Sequence, residues 1–493
     1  MTFSEIVLPL KSASRGDVTC NLSRGSRAYE TGKIEAEITP SNRNANLNTK
    51  ISNFYHTKAF AYNIIGLKMT NFKIPYGKEE ISFEMPSEFN VTVAKINSVS
   101  PIANISESAK NALLNPVNSK RLTELIKNDD SVCIIVTDIT RASPDKEILP
   151  HLIEQILEKT NSKKLTILIA SGLHREMSNA EKIEKYGEEI ASNFQIINHD
   201  ATNEENLISL GTTKNGTPIK ISKIAYDSDF LISIGVVEPH QYAGYSGGYK
   251  TLAIGVAGDE TISKTHSRMF IEHQKTRIGN IDGNIFNEDI IEIGKKVGLD
   301  FIVNVILDDK KNIVAIKAGE PLETYKTLVS TAKRISETII SKSFDVAVCG
   351  IGFPKDINLY QTSRAASYLF YLPTKVVKNG GYIIIPATCD EGAGQGIGEQ
   401  RFFDMLKNKS LEQILNHEED FKAGEQRAFM MANVLKHCNV IIVGSKEPQI
   451  VKDAKMIPTS TMNEAFEIVQ NDLGKNLDVI LIPNAMMTLP IIK

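Results

Sequence analysis

Three stretches of this chain place titratable side chains directly after an apolar run. In CIIVTDITRASP the run gives way to Asp138, Thr140 and Arg141. A carboxylate, a hydroxyl and a guanidinium on one short loop can grip a sugar hydroxyl, a phosphate or a substrate carboxylate. The same set could serve only as a helix cap with a surface ion pair. In LTILIASGLHRE, Gly172 permits a tight turn from which His174 and Arg175 emerge. The third stretch, FLISIGVVEPHQYAGYSGGYKTLAIGVAGDETISKTHS, is the densest. Pro239-His240 follow the run, then Ser246, Gly247, Gly248 and Lys250, with His266 further on. Glycines let a backbone approach an anion, and exposed N–H groups bind phosphate, so this loop is a candidate cofactor contact. Imidazole titrates near neutrality and ligates nickel, zinc or iron. Each histidine alone could be structural; three beside one basic, glycine-rich loop point to a metal or acid–base site.

Two familiar loops are excluded. A P-loop needs glycine directly before its lysine, and here that position is Tyr249. The later loop CDEGAGQGIGEQRF lacks the third glycine of GxGxxG at the right offset, so it supports no dinucleotide fingerprint and reads as a turn or a lid. Ahead of it, GFPKDINLYQTSR offers Tyr360, Gln361 and Arg364 at helical spacing.

The elements that must carry these residues follow from the periodicity. Apolar runs predict strands at Ser131–Thr137, Leu165–Ala170, Phe194–Asn198 and Phe230–Val236, with helices at Lys146–Lys159 and Asn179–Asn193. Strand, helix, strand at this spacing favours a parallel sheet with helices on its faces, and ligands then bind beyond the carboxyl ends of the strands. A second α/β unit has strands at Asp345–Cys349, Gly381–Ile385, Asn439–Val443 and Asp478–Ile482 and a helix at Arg427–Leu435, after a long helix over Leu322–Ile339 that could form a hinge. The expected division is an extension at 1–68, polar and poorly ordered, a cofactor-binding domain at 69–335 and a closing domain at 336–493. Alternation after Met69 predicts a β-hairpin at the start of the first domain. The fold class is therefore two α/β domains with mainly parallel sheets and an active-site cleft between them.

Composition narrows the function classes. The 493 residues are 42% hydrophobic and 23% charged, with a net charge of −3. That is an ordinary globular balance with no basic field for nucleic acid. No apolar run is long enough to span a membrane, and the amino terminus has no secretory pattern. Five scattered cysteines (Cys20, Cys133, Cys349, Cys389 and Cys438) form no CxxC pair, which argues for free thiols in a reducing compartment, the cytoplasm.

Taken together, DITRASP, SGLHRE, NHD, EPHQYAGYSGGYK, TISKTHS, GFPKDINLYQ and IPNAMMTLP resemble the nickel-dependent lactate racemase family. The resemblance runs from about Met69 to Lys493, and the PHxxAGYSGGxK block with its downstream His-Ser is its most specific part. It implies a racemase or epimerase of a small 2-hydroxy acid, working by reversible hydride transfer to a nickel-pincer nucleotide made by separate maturation enzymes. By the same resemblance Lys250 would bear that nucleotide through a thioamide, His266 would ligate nickel, and His174 and His240 would be the acid–base pair. Arg141, Tyr360, Gln361 and Arg364 would meet the substrate, and Asp138 and Thr140 would help hold cofactor or substrate. Two positions depart from the family's lactate racemases: Arg364 stands where they carry lysine, and Ile254 where they carry proline. Both changes suit a larger or more anionic 2-hydroxy acid. A zinc-type hydrolase and a non-catalytic cofactor carrier are the competing readings; the first lacks an HExxH motif, and the second has no use for His174 and His240.

Overall fold

The three apolar runs that end in candidate site residues lie side by side in the computed structural model. Val132–Thr137 pairs in parallel with Leu165–Ala170 on one side and Phe230–Val236 on the other. The described residues are 71–417 and 421–493; the expected extension at 1–68 lies outside them. The complete sheet has the order Ile313–Gly319, Phe301–Leu307, Phe230–Val236, Val132–Thr137, Leu165–Ala170, Gln195–Asn198. Only its first pair is antiparallel. Val132–Thr137 and Phe230–Val236 are buried at every position, which is why they read as unbroken apolar runs. Alternate residues serve opposite faces: Cys133, Ile135 and Leu231 face one core cluster, and Ile134, Val136 and Ile232 face the other.

Read in chain order, the sheet grows outward in both directions from the junction between Val132–Thr137 and Phe230–Val236. That is a topological switch point, where connections leave on opposite faces and a crevice opens beyond the strand ends. Asp138–Arg141 follow one of these strands and Glu238–His240 the other.

The second sheet is parallel throughout, in the order Ile457–Thr459, Asn439–Val443, Val377–Pro386, Phe344–Cys349, Asp478–Ile482, Asn90–Val93. Its switch point lies between Phe344–Cys349 and Asp478–Ile482, and the loop after Cys349 leads into the helix Leu359–Phe370. The edge strand Asn90–Val93 comes from the segment expected to belong wholly to the first domain. The predicted hairpin is present as Asn71–Tyr76 and Glu79–Glu84, and it too is tied to the second sheet's loops, with Tyr76 Oη donating to the Gly444 carbonyl at 2.6 Å.

Two helices differ from expectation. The stretch Asn179–Asn193 is two helices, Asn179–Tyr186 and Glu188–Asn193, because Gly187 turns between them at φ +91°. The helix predicted to Ile339 ends at Ser336, and Glu337–Ile340 instead pairs in parallel with Leu489–Ile492. A β-branched Thr-Ile-Ile run with a partner strand available favours the extended form. No helix among the described residues is long and apolar enough to cross a membrane. The four described cysteines are buried and unpaired.

Candidate active site

Asp138 and His174 leave adjacent strands and meet. His174 Nδ1 lies 2.5 Å from Asp138 Oδ2, while Thr140 donates to Asp138 Oδ1 through both its hydroxyl, at 2.6 Å, and its amide, at 3.0 Å. Arg141 Nη1 in turn donates to Thr140 Oγ1 at 2.8 Å. Burial pushes the Asp138 carboxyl up, but the bonds from His174 and Thr140 and the Arg141 charge outweigh it and hold the pKa at about 2. A carboxylate that stays ionised fixes the proton of neutral His174 on Nδ1 and leaves Nε2 with a free lone pair. Arg175, next in the chain, turns away to a bidentate pair with Glu181.

His240 is held in the complementary tautomer. Its Nδ1 accepts from the amides of Tyr242 and Ala243, at 3.3 and 3.2 Å, so the proton of the neutral ring sits on Nε2. Burial, then the charges of Lys250, His266, Arg364 and Arg141, keep its pKa well below the ordinary imidazole value.

The glycine loop aims Lys250. Gly247 and Gly248 adopt φ +81° and +56°, and a Cβ at Gly248 would lie 2.8 Å from the Tyr325 ring. At Gly247 it would lie 2.7 Å from Val237. The loop amides are mostly consumed inside the protein. Ser246 N donates to the Glu238 carbonyl, Gly248 N to Asn304 Oδ1 at 2.7 Å, and Lys250 N to the Gly247 carbonyl. The Ser246 hydroxyl donates to the Val236 carbonyl at 2.7 Å. These bonds and the close packing at Gly247 and Gly248 set Lys250 at the start of the helix Lys250–Ala253, with Ser246, Gly247 and Gly248 in the loop that leads to it. Burial, then Arg141 and Arg364, lower the Lys250 ammonium to about 8, against the opposing pull of Glu238 and Asp138.

His266 caps the helix Asp259–Thr265, and its Nδ1 donates to the Ile262 carbonyl at 2.8 Å. That bond leaves Nε2 as a lone-pair donor, the arrangement of a metal-ligating histidine. Its ring meets Tyr242 and Phe286 edge-on, at 5.1 and 5.3 Å between centres. Burial, offset in part by the Ile262 bond and reinforced by Lys250 and Arg427, takes its pKa down to about 4. Among the described residues no group of three or more His, Cys, Asp or Glu could hold a metal ion. A metal at His266 would need most of its ligands from a bound group, which counts against a protein-only zinc site.

From the second sheet, the helix Leu359–Phe370 brings Tyr360, Gln361 and Arg364 to the cleft, its start fixed by Asn358 Oδ1 accepting from the Gln361 amide. The Arg364 charge acts on both His240 and Lys250. The helix Glu425–His437 closes against the first lobe, where the Tyr242 hydroxyl reaches Met430 Sδ at 3.3 Å. All four histidine and lysine positions thus share one region with Arg141 and Arg364. Asp138 and Thr140, expected to hold cofactor or substrate, are engaged here with His174 and Arg141.

The sequence reading passed over two cations here. Arg427 is 3% exposed, with its guanidinium 4.8 Å from the centre of the Tyr360 ring. Its signal was available: Met430, Met431 and Val434 follow at helical spacing, so the arginine sits on the apolar stripe. Lys355, in the GFPKDINLYQ loop, is lowered to about 7 by burial and by Arg364 and Arg141.

A family model for the lactate racemase N-terminal domain matches residues 76–279, and one for the C-terminal domain matches 340–489. A lactate racemase of Thermoanaerobacterium thermosaccharolyticum is 33% identical over 427 residues, covering 85% of this chain and 98% of that one. A lactate racemase of Lactiplantibacillus plantarum is 30% identical, covering 85% and 99%. The solved apoprotein of the Thermoanaerobacterium racemase superposes with a TM-score of 0.78 over 86% of this chain. A Thermotoga maritima protein, 20% identical with a TM-score of 0.61, shares the fold.

Proposed function

Because the chain belongs to the lactate racemase family and is an isomerase, we propose that it inverts C2 of a small, lactate-like 2-hydroxy acid with a nickel-pincer nucleotide tethered to Lys250. The observation that carries this reading is the pair of imidazoles in complementary tautomers, His174 and His240, beside the Lys250 amine.

The residues suit that group. Lys250 has an amine with a lowered pKa for covalent attachment, and His266 has Nε2 free for one nickel bond. When bound, the nucleotide supplies reversible acceptance of the C2 hydride. His174, oriented by Asp138, takes the hydroxyl proton at Nε2, as a general base whose other nitrogen is committed. His240 presents Nε2–H to the same oxygen from its own side. Attachment at Lys250 would remove one of the charges that, after burial, hold His240 below the ordinary imidazole value. Arg141 anchors the C1 carboxylate, and Tyr360, Gln361 and Arg364 close over the substrate from the second sheet. Closure excludes water from the reacting carbon. The reading brings with it a cytoplasmic location, where maturation enzymes would load the protein.

The test is intact mass and nickel analysis of protein produced with cofactor-maturation enzymes, followed by inversion assays on 2-hydroxy acids. An adduct at Lys250 with one nickel, and inversion lost in His174→Gln and in His240→Gln while loading persists, is the expected result. Loaded wild-type protein that inverts no 2-hydroxy acid would mark a carrier instead.

A further inference from the structure

We propose that the substrate carries a second anionic group beyond its C1 carboxylate, and that Arg427 with Arg364 forms the subsite for it. This rests on the 2-hydroxy-acid reading above and narrows its substrate class.

Arg427 is buried, yet its Nε and Nη1 have no hydrogen-bond partner, and neither does Arg364 Nε. Among the described residues no carboxylate lies within ion-pair distance of either guanidinium. Buried arginines are ordinarily paired, because an unpaired buried charge is strongly unfavourable. The Tyr360 ring accounts for one face of Arg427 through a cation–π contact. The guanidinium also donates one hydrogen bond to the Tyr360 hydroxyl, and the in-plane N–H groups at Nε and Nη1 are the ones left unmet. Those in-plane donors form the fork that matches a carboxylate or phosphate edge.

Charge counting points the same way. The cleft gathers Arg141, Arg364, Arg427 and Lys355, whose charges act on one another or on His240 and Lys250. Against them stand Glu238, Asp138 and Glu399, of which Asp138 is committed to His174 and Glu399 accepts from Asn358 Nδ2 and the Gly396 amide. A monocarboxylate such as lactate brings a single negative charge, which Arg141 can meet. It leaves the Arg364–Arg427 pair facing the tyrosines Tyr242, Tyr360 and Tyr368. A substrate with a carboxylate or phosphate further along its carbon chain would supply the missing acceptor.

The experiment uses the full-length, cofactor-loaded chain with three probes: lactate, malate and 3-phosphoglycerate. Inversion rates and calorimetric binding are measured for wild type, Arg427→Met, Arg427→Lys and Arg364→Met. The expected result is kcat/KM and affinity about 100-fold higher for malate or 3-phosphoglycerate than for lactate, the margin a buried charge pair supports. The preferred dianion identifies the second group. Arg427→Met should erase most of that margin with nickel content unchanged, and Arg427→Lys should restore part of it. If Arg427→Met does not fold, Arg364→Met probes the same subsite. Lactate handled as well as both dianions overturns the proposal, as does an Arg427→Met protein that loses adduct and nickel rather than dianion affinity. If none of the three is inverted, the racemase reading is what fails. Calorimetry then decides the subsite alone: a dianion preference lost in Arg427→Met upholds it, and no preference overturns it.

Discussion

Lys185 reaches Asp145 at 3.0 Å with both side chains nearly out of solvent. The same ammonium donates to the carbonyls of Arg141 and Ser143, at 2.6 and 2.7 Å. Asp145 also accepts from Ser143 Oγ at 3.2 Å and Thr137 Oγ1 at 3.4 Å, and Tyr186 Oη donates to the Thr137 carbonyl at 2.9 Å. The loop that carries Asp138, Thr140 and Arg141 is therefore closed from behind by a buried ion pair. Lys185→Met leaves the Asp145 charge unpaired and should cost about 3–5 kcal/mol in stability. The double variant Lys185→Met/Asp145→Asn should recover much of that. Urea midpoints of the four proteins in the cycle check both statements.

Asp138→Asn tests the orientation of His174. The amide keeps the size of the side chain but can no longer fix the Nδ1 proton. On loaded enzyme kcat should fall by about 10²–10⁴-fold with KM little changed. A fall confined to KM would assign Asp138 to substrate binding instead.

His266→Ala should separate tethering from metal binding. The adduct mass at Lys250 is expected to remain while nickel per chain drops, because the Nδ1 bond to the Ile262 carbonyl leaves His266 Nε2 as a lone-pair donor at the end of the Asp259–Thr265 helix. Retained nickel in the variant would show that another residue ligates it.

The lowered Lys250 pKa gives a pH signature in cofactor-free protein. A lysine is nucleophilic only when deprotonated, so one that titrates at about 8 is half reactive at that pH, where an ordinary lysine is almost wholly protonated. Acetic anhydride labelling read by peptide mass should show Lys250 modification rising with a midpoint near 8. Lys355 should rise earlier, near 7, and the exposed lysines later. A Lys250 midpoint at the ordinary lysine value would remove the case for its activation.

Much of the scaffold was legible in the chain itself. Strands buried on both faces read as nearly continuous apolar runs, so Val132–Thr137 and Phe230–Val236 stood out, with the mostly buried Leu165–Ala170 beside them, and polar residues directly after them marked the strand ends. The helix break at Gly187 and the strand at Glu337–Ile340 were missed. The first turns on a single backbone angle and the second on a partner strand some 150 residues away in the chain. Periodicity reports neither.

Residue types and their order alone determined that His174, His240, Lys250 and His266 were the groups to watch, because reactive side chains after apolar runs need no partner to be noticed. Only the tertiary structure decided what each one is bonded to. Tautomers depend on which carboxylate or amide faces a ring nitrogen, as Asp138 faces His174 and the Tyr242 amide faces His240. It also revealed Arg427 as a buried cation with no carboxylate at ion-pair distance among the described residues. Hydrogen-bond satisfaction is a property of neighbours in space, and the linear order of residues does not carry it.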